Sequence, residues 1–459
     1  VTVTVNNQLT NRTIPQGFVT VTNDTFRYPK GYVLYQHDFD YFDYAGINRD
    51  VTLYTTPLNY IEDISVRTYF LEDTGFIEYN ITRSHTNLGS CYVSLEGDGG
   101  RPVAKSMVCD NGLLIVENVH LWWPAGSGKS PIGYLYILVV ILETAEEADF
   151  YRLPVGFRTV GWTNSSILIN GVPTYMKGFG MHEDSDIRGR GFDNVILLRD
   201  MNLIGWIGAT AIRTSHYPYS TEFLYQADRR GIMVILETPA CSLSNFDNEI
   251  YSRHLATMRE IITIYKNHPS IVMWSLANEP QTYRNESTLY FRNLVNAVRL
   301  MDPSRPVTFV TSQQIFNEKA VGNMDVVCLN RYSGWYQDGG KPELVRYQTN
   351  AEVRAWSSKY NAPVIVTEYG AGALSGLHNL PSTMWTEDYQ RELLSEHFKA
   401  FDDLKNQSNI AGEMIWNFAD FNTPQEYIRP GGCDKGLFTR SRQPKSAAHL
   451  VRARYLSLH

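Results

Sequence analysis

From about residue 165 onward the sequence alternates short apolar runs with longer amphipathic segments, and this alternation limits the possible folds more than any other feature. In four of the longer segments apolar residues recur at three- and four-residue spacing, as in helices, whereas the short runs are typical of buried strands. Strands that alternate with helices form a parallel sheet, and eight of them in about 300 residues predict a (β/α)8 barrel. An open doubly wound sheet is the alternative, but the glycine-rich phosphate fingerprint after its first strand is missing. The eight runs are TYMKGFG, ATAIRTS, IMVILET, IVMWSLA, VTFVTS, VVCLN, VIVTEYG and EMIWNFA.

Up to about residue 155 the pattern is that of β-structure throughout. Short alternating or apolar runs, such as DISVRTYFLE and YLYILVVIL, are separated by glycine, aspartate and asparagine turns. This pattern predicts an antiparallel β-sandwich. Cys91 and Cys109 lie in neighbouring strand-like segments, where they form either a disulfide or a pair of buried free thiols.

Charge and hydropathy exclude several classes of protein. The net charge of −7 and the isoelectric point near 5.9 argue against nucleic acid or an anionic membrane as a partner. The longest apolar run, 134–142, is too short to span a bilayer, so we expect a soluble globular protein. Neither a phosphate-binding loop nor a Cys/His spacing typical of zinc occurs, so we predict no cofactor and no metal.

In a barrel of this kind the active site lies just after the carboxyl ends of the strands. Asn278 and Glu279 follow the fourth run, and Glu368 follows the apolar part, VIVT, of the seventh. Glu368 lies 89 residues after Glu279 (368 − 279), or three strand–helix units further on. Two such carboxyl groups predict glycoside hydrolysis, with one as acid and the other as nucleophile or base. A separation of about 5–5.5 Å predicts retention of configuration, and one of about 6.5–9.5 Å predicts inversion. The competing interpretation makes either glutamate a salt-bridged or capping residue.

Several longer motifs resemble those of the β-glucuronidases of glycoside hydrolase family 2. They are GFGMHEDSDIRGRGFDN, RTSHYPYS, KNHPSIVMWSLANEP, CLNRYSGWY, TEYGA, IWNFADF and LFTRSRQPKSAAHL. The resemblance covers nearly the whole chain and implies three domains. These are the carboxyl-terminal part of a jelly-roll over residues 1–49, an immunoglobulin-like sandwich over 50–155, and the catalytic barrel over 156–459.

The resemblance also implies a role for individual residues. Glu279 matches the acid/base and Glu368 the nucleophile, while Asn278 matches a hydrogen-bond partner of the sugar 2-hydroxyl. Arg213 and His216 are expected to orient the carboxylates rather than to touch the sugar. The residues expected to bind or line the sugar site are Asp40, His182, Asn330, Tyr332, Tyr336 and Trp416.

The segment YIRPGGCDKGLFTR (427–440) matches the loop that holds the sugar carboxylate in this family, with one change. Arg429 and Lys435 are in place, but Cys433 stands where the family has asparagine. A thiol is a weak donor and a thiolate would repel a carboxylate, so the change should cost on the order of 1–3 kcal/mol. We therefore expect a β-glucuronide as substrate, with a β-galacturonide or β-galactoside as the alternatives that Cys433 raises.

The start of the chain and its glycosylation motifs lead to further expectations. Relatives in the family carry a longer amino-terminal segment. We expect either that this segment is a separate chain that stays associated or that this protein has lost it. The latter would favour a non-catalytic binding or storage glycoprotein, although both glutamates are retained. Family resemblance implies a homo-oligomer, a dimer or a tetramer, and a short loop at 238–254 leaves room for the end of a polysaccharide. Asn-X-Ser/Thr motifs favour a secreted or lysosomal protein; they begin at Asn11, Asn23, Asn80, Asn164, Asn285 and Asn406.

Overall fold

The computed structural model describes residues 1–85, 89–407 and 410–458. The amino-terminal segment contains one antiparallel hairpin, formed by β1 (Phe18–Val21) and β2 (Val33–Gln36). Beyond this hairpin the chain runs to residue 60 without regular structure, and it passes over the barrel. Leu9, Phe39 and Tyr41 pack into the barrel's outer core.

Two antiparallel sheets follow and enclose a shared apolar core. One has the strand order β3-β4-β7 and the other β6-β5-β8-β9. A disulfide joins Cys91 to Cys109, with 5.7 Å between their Cα atoms. Of the two predicted possibilities, these cysteines therefore form the disulfide and not a pair of free thiols. The strands are β3 (Ile61–Leu71), β4 (Thr74–Arg83), β5 (Ser90–Glu96), β6 (Pro102–Ser106), β7 (Asn111–Val116), β8 (Tyr136–Glu143) and β9 (Ala148–Val155).

A small sheet closes the floor of the barrel. It consists of β10 (Val160–Trp162), β11 (Ile167–Ile169) and β12 (Val172–Thr174). Ile167 and Ile169 are fully buried against Trp122 and against the inward-facing side chains of the barrel strands. The barrel interior is therefore a packed core and not a pore.

Eight parallel strands close into the predicted barrel, and each of the eight apolar runs supplies one of them. The register closes between the first and the last strand, where Met176 pairs with Gly412 and Gly180 with Trp416. The strands are β13 (Met176–Met181), β14 (Ala211–Thr214), β15 (Met233–Glu237), β16 (Ile271–Asn278), β17 (Val307–Thr311), β18 (Val327–Asn330), β19 (Val364–Glu368) and β20 (Gly412–Trp416).

Helices cover the outside of the barrel, and side-chain caps explain several of their starts. The α3 helix begins five residues before the predicted segment, because the Asp247 carboxylate accepts hydrogen bonds from the N–H groups of Glu249 and Ile250. After β17 a short 3-10 turn at 321–323 stands in place of an α-helix. The helices are α1 (Asn194–Ile207), α2 (Thr221–Arg230), α3 (Asn248–Tyr265), α4 (Glu286–Met301), α5 (Val345–Tyr360), α6 (Glu387–Lys405) and α7 (Ser446–Ser457).

Candidate active site

The two predicted carboxylates lie at one face of the barrel. Asn278 is the last residue of β16, Glu279 follows it, and Glu368 ends β19. Between these strands lies β18, whose last residue, Asn330, is paired in register with Glu368. Asn330 also donates from Nδ2 to Glu279 Oε1 at 2.7 Å, so this one residue links the two carboxyl groups.

Glu368 is buried and held by a cation and a hydroxyl. Arg213 donates a short hydrogen bond from Nη2 to Glu368 Oε1, and the Tyr332 hydroxyl donates to Oε2 at 2.6 Å. Burial and the neighbouring Glu279 raise the pKa of Glu368, whereas Arg213 and Tyr332 oppose that rise. Glu368 is thus the carboxyl group of the pair that has a cation in direct contact.

Glu279 has a different environment. Asn330 Nδ2 donates to Glu279 Oε1 at 2.7 Å, and no cation contacts this carboxylate within the described residues. Burial raises the pKa of Glu279, and the Asn330 hydrogen bond opposes that rise. Its backbone φ of 48° lies in the left-handed region, which is uncommon for a residue other than glycine and occurs often at functional sites.

A buried network beneath Glu368 contains a third carboxylate, Glu237, which the sequence analysis did not single out. Arg213 Nη1 donates to both oxygens of Glu237, at 2.9 and 3.0 Å. His216 Nδ1 lies 2.7 Å from Glu237 Oε1, and Ser275 Oγ donates to Oε2 at 2.8 Å. Arg213 therefore bridges two carboxylates and is fixed in place, which agrees with the orienting role expected of Arg213 and His216.

Aromatic rings form one wall of the site. The His216 ring stacks on Trp416 with ring centroids 5.2 Å apart, and His182 meets Trp416 edge-on at 5.4 Å. His182 Nδ1 lies 3.0 Å from the Tyr217 hydroxyl, whereas His182 Nε2 is buried without a partner in the described part of the chain. Burial lowers the pKa of His182 well below its usual value, with the positive charges of His216, Arg190 and Arg213 adding to the effect. His182 is therefore a neutral imidazole with one free nitrogen.

A cationic corner lies beside Glu368. Arg429 Nη2 and Lys435 Nζ each donate to the Tyr336 hydroxyl at 2.8 Å. Lys435 also lies 5.6 Å from the Tyr332 ring centroid, which joins this corner to the carboxylates. Asp40, from the amino-terminal segment, accepts hydrogen bonds from Arg429: Nε donates to Oδ1 at 2.9 Å and to Oδ2 at 3.1 Å, and Nη2 donates to Oδ2 at 2.6 Å. The segment that carries Asp40 is thereby tied to the loop that follows the last strand.

Cys433 lies inside this corner and is 1% exposed. Its backbone N–H donates to the Phe421 carbonyl at 3.0 Å, and burial raises the pKa of its thiol above the usual value. The preceding Gly432 has a φ of 135°, and a Cβ there would lie 2.7 Å from the Phe421 carbonyl oxygen. The turn therefore requires glycine at position 432, and Cys433 lies in the buried part of the loop between Arg429 and Lys435.

A buried Lys–Asp pair supports the loop that carries Lys435. Lys445 Nζ donates to Asp420 Oδ1 at 2.8 Å and to the carbonyls of Ala373 and Asp434 at 2.7 and 2.9 Å. The Gly436 N–H also donates to Asp420 Oδ1, at 2.9 Å. Burial raises the pKa of Asp420 to about 7, although Lys445 opposes this rise.

Each residue predicted for the site contacts at least one other residue of the set or of its supporting network. Asn278 joins the set through its Oδ1, which lies 3.5 Å from Arg213 Nη1 and 3.3 Å from Asn330 Nδ2. Asn278 Nδ2 in turn donates to Cys241 Sγ at 3.5 Å. The structure brings together Asp40, His182, Asn278, Glu279, Asn330, Tyr332, Tyr336, Glu368, Trp416, Arg429, Cys433 and Lys435.

In the ranges 1–85, 89–407 and 410–458, no cluster of three or more His, Cys, Asp or Glu side chains is arranged to hold a metal ion. No helix in the same ranges is long and apolar enough to cross a membrane.

Comparisons with known proteins agree on one family. Residues 160–459 match the model described as "Glycosyl hydrolases family 2, TIM barrel domain". The chain is 44% identical to the β-glucuronidases of Sus scrofa and Homo sapiens, over 100% and 99% of its length and 71% and 70% of theirs. The β-D-glucuronidase structure from Dictyoglomus thermophilum superimposes with a TM-score of 0.94 at 41% identity, covering 99% of this chain and 78% of that one. The Ruminococcus gnavus β-glucuronidase in complex with D-glucaro 1,5-lactone gives 0.88 at 34% identity, covering 98% and 76%.

Proposed function

This chain belongs to glycosyl hydrolase family 2, and from that premise we propose that it is an exo-acting β-glucuronidase. Its substrate is a terminal β-D-glucuronate on a glycoconjugate or at the end of a glycosaminoglycan. The observation that carries the proposal is the cationic corner of Arg429 and Lys435, which lies beside two buried glutamates. Family membership and β-glucuronidase relatives at 44% identity support the same substrate.

The environments of the two glutamates support a retaining, double-displacement mechanism. Glu368 has Arg213 and Tyr332 as donors, which favour its ionised form, so it is the nucleophile that attacks the anomeric carbon. Glu279 has no cation in contact in the described ranges, and burial favours its protonated form, so it gives a proton to the leaving oxygen. After the aglycone leaves, the ionised Glu279 accepts a proton from water, which attacks the glycosyl–enzyme and restores both groups.

The remaining residues of the site bind and orient the sugar. Asn278 is assigned to the 2-hydroxyl, where a hydrogen bond that strengthens in the transition state would contribute to rate. Trp416 supplies an aromatic wall, and Asn330 holds the acid/base glutamate. His182 has a neutral, unpaired Nε2 in the described part of the chain, suited to one sugar hydroxyl.

Recognition of the sugar carboxylate rests on Lys435, Arg429 and the Tyr336 hydroxyl. The hydroxyl oxygen accepts from both cations at 2.8 Å, so its own proton is free to point at an anion. Asp40 shares Arg429, and this arrangement keeps the corner from carrying two unpaired cations when no substrate is bound. Cys433 contributes a weak donor here, so we expect selectivity for glucuronate to rest chiefly on the cations and Tyr336.

The test compares hydrolysis of matched aryl β-D-glucuronide, β-D-galacturonide and β-D-galactoside by the wild type and by Glu368→Gln. The proposal predicts the highest kcat/KM for the glucuronide and loss of turnover in Glu368→Gln. NMR of the first sugar released should show the β-anomer, as retention requires. A preference for galacturonide or galactoside would assign Cys433 to a change of specificity, and an inactive, folded wild type would refute the hydrolase assignment.

Location and assembly remain proposals of the same kind. A disulfide and six sequon asparagines that are all exposed support a secreted or lysosomal glycoprotein. The last sequon includes Ser408, which lies outside the described residues. We further propose the domain division 1–49, 50–155 and 156–459, with a jelly-roll part and an immunoglobulin-like sandwich before the barrel. Assembly as a dimer or tetramer, with or without a separate amino-terminal fragment, stays a prediction.

A further inference from the structure

A polar cleft of about 230 Å³ lies at the opposite end of the barrel from the glutamates. One wall comes from the two-sheet unit and the segment that follows it, at residues 66–69 and 155–160. The other comes from the loops at 266–269 and 303–305, which directly precede strands β16 and β17. Because these loops lie at the amino ends of the strands, the cleft is separate from the candidate active site.

The side chains that line the cleft are strongly cationic. They include Arg67, Arg158, Lys266 and Arg305, and no acidic side chain is among the lining residues in the described part of the chain. Two of the four cations are compensated by acidic partners. Lys266 forms a short ion pair with Asp63, and Arg305 Nη1 lies 2.6 Å from Asp302 Oδ2.

Arg158 is 6% exposed, and within the described ranges it has no carboxylate partner. Its Nε donates to the Pro269 carbonyl at 2.6 Å and its Nη2 to the Ile271 carbonyl at 2.7 Å, which leaves Nη1 without a protein partner among these residues. The nearest acids are engaged elsewhere: Asp228 lies 2.7 Å from His268 Nδ1, and Asp302 pairs with Arg305. Burial, together with the charge of Arg305, lowers the pKa of Arg158 to about 9, although the charges of Asp302 and Asp228 oppose this fall. A buried cation of this kind is costly unless an anion accompanies it.

Arg67 is the second cation without an acidic partner. It lies on β3 opposite Glu78 of β4, yet the two side chains form no ion pair within 4 Å in the described ranges. The guanidinium groups of Arg67 and Arg158 therefore both border the cleft, and within the described ranges each has N–H donors that are not paired with a carboxylate. Guanidinium groups match the oxygens of phosphate and sulfate in geometry.

We propose that this cleft binds a small tetrahedral oxyanion, phosphate or sulfate, between Arg158 and Arg67. Its volume falls below the roughly 300–1,000 Å³ of sites for drug-sized ligands, which suits a single anionic group. The group is either a free ion or the ester of a sulfated or phosphorylated sugar. This site goes beyond the proposed hydrolase function and does not depend on it.

The test is isothermal titration calorimetry of the whole chain with inorganic phosphate and with sulfate, at constant ionic strength set with chloride. We expect saturable binding to one site per chain, and no comparable binding of acetate. Arg67→Gln should weaken binding at least tenfold, because a charge-assisted hydrogen bond is lost. Arg158→Lys keeps the charge but loses the planar fork, and it should weaken binding by a similar factor. Arg101→Gln removes an exposed cation elsewhere in the two-sheet unit and should leave the affinity unchanged.

Several results would overturn this proposal: no saturable heat for the wild type, acetate binding as tight as that of phosphate, or equal affinities for Arg67→Gln and Arg101→Gln. Circular dichroism of each variant separates lost binding from lost folding. Titration with a sulfated or a phosphorylated monosaccharide identifies the source: tighter binding of either ester than of the free ion would assign the site to an ester group, and the reverse order to a free ion. Hydrolysis of an aryl β-D-glucuronide by Arg67→Gln should match that of the wild type, so failure of the anion site and failure of the proposed function are distinguishable.

Discussion

The Tyr332 hydroxyl should control the charge on Glu368, and Tyr332→Phe tests this. The hydroxyl donates to Glu368 Oε2 at 2.6 Å, while Arg213 donates to Oε1. A hydrogen bond to a charged group contributes about 1.5–3 kcal/mol. At about 1.36 kcal/mol per pKa unit, losing it should raise the pKa of Glu368 by about 1–2 units. The shift adds to the rise that burial and Glu279 already cause.

The sign of the effect follows from the reaction. The nucleophile must be ionised, so the acidic limb of the profile of kcat/KM against pH should move to higher pH by about 1–2 units. On the acidic side of the profile this corresponds to a roughly ten- to hundredfold loss of kcat/KM. The assay is steady-state hydrolysis of an aryl β-D-glucuronide across the pH range in which the protein stays folded.

Two further variants provide controls for Tyr332→Phe. Tyr283→Phe makes the same chemical change at an exposed hydroxyl that donates to Gln281, and it should leave the profile unchanged. Tyr336→Phe removes the hydroxyl that contacts Arg429 and Lys435, so it should raise KM and leave the acidic limb in place. An acidic limb that stays unmoved in Tyr332→Phe, with only a uniform fall in kcat, would refute the claim that this hydroxyl sets the charge of Glu368.

Three other changes have defined outcomes. Cys433→Asn should raise the ratio of kcat/KM for glucuronide over galactoside by about tenfold or more, because an amide donates a stronger hydrogen bond to a carboxylate. The larger side chain at a position that is 1% exposed should cost about 1–3 kcal/mol of stability in urea unfolding, and an unchanged ratio would contradict the carboxylate role of this loop. Replacing both Cys91 and Cys109 by serine should lower the free energy of unfolding by about 3 kcal/mol, since the bridge spans 18 residues; equal urea midpoints for the two proteins would argue against it. Asp40→Asn breaks the ion pair with Arg429 and should lower kcat/KM for the glucuronide about tenfold, and full activity would exclude Asp40 from the site.

The barrel was predictable because hydrophobic periodicity directly reflects burial. Each predicted strand is covered on both faces, so its residues form a continuous apolar run rather than an alternating one. Helix starts were less accurate, as α3 shows: its start is set by the Asp247 cap and the polar residues Asn248 and Glu249, which lie before the apolar period predicted from residue 253 onward. The 3-10 turn at 321–323 could not be anticipated. A (β/α)8 pattern predicts eight strands, but it does not tell whether each segment between two strands is an α-helix or a shorter turn.

Within the site, sequence reasoning found residues at the ends of several strands, such as Asn278, Asn330 and Glu368, but missed the one that ends β15. Glu237 is the last residue of β15 and stands inside the run IMVILET, so its carboxylate was counted with the strand. Applying the strand-end rule to the last two residues of each run would have included it. The pairing of Asp40 with Arg429 joins residues 389 positions apart, and no local pattern encodes such a contact. Only the resemblance to a known family placed Asp40 at the site.

Glu237 also explains how Arg213 can contact Glu368, the proposed nucleophile, without greatly lowering its reactivity. A guanidinium in contact with Glu368 alone would stabilise the carboxylate strongly in a buried site, and a strongly stabilised carboxylate is a poor nucleophile. Here Arg213 gives Nη1 to Glu237 and Nη2 to Glu368, so one positive charge is shared between two negative ones. His216 and Ser275 hold Glu237 in turn, which fixes the bridge. A shared cation and one hydroxyl thus favour the ionised form of Glu368 against the effect of burial. Glu279 is bound by the Asn330 amide and the Ser312 side chain and has no cation in contact in the described ranges, and burial raises its pKa; we propose that this difference in environment allows two glutamates in one pocket to take opposite roles.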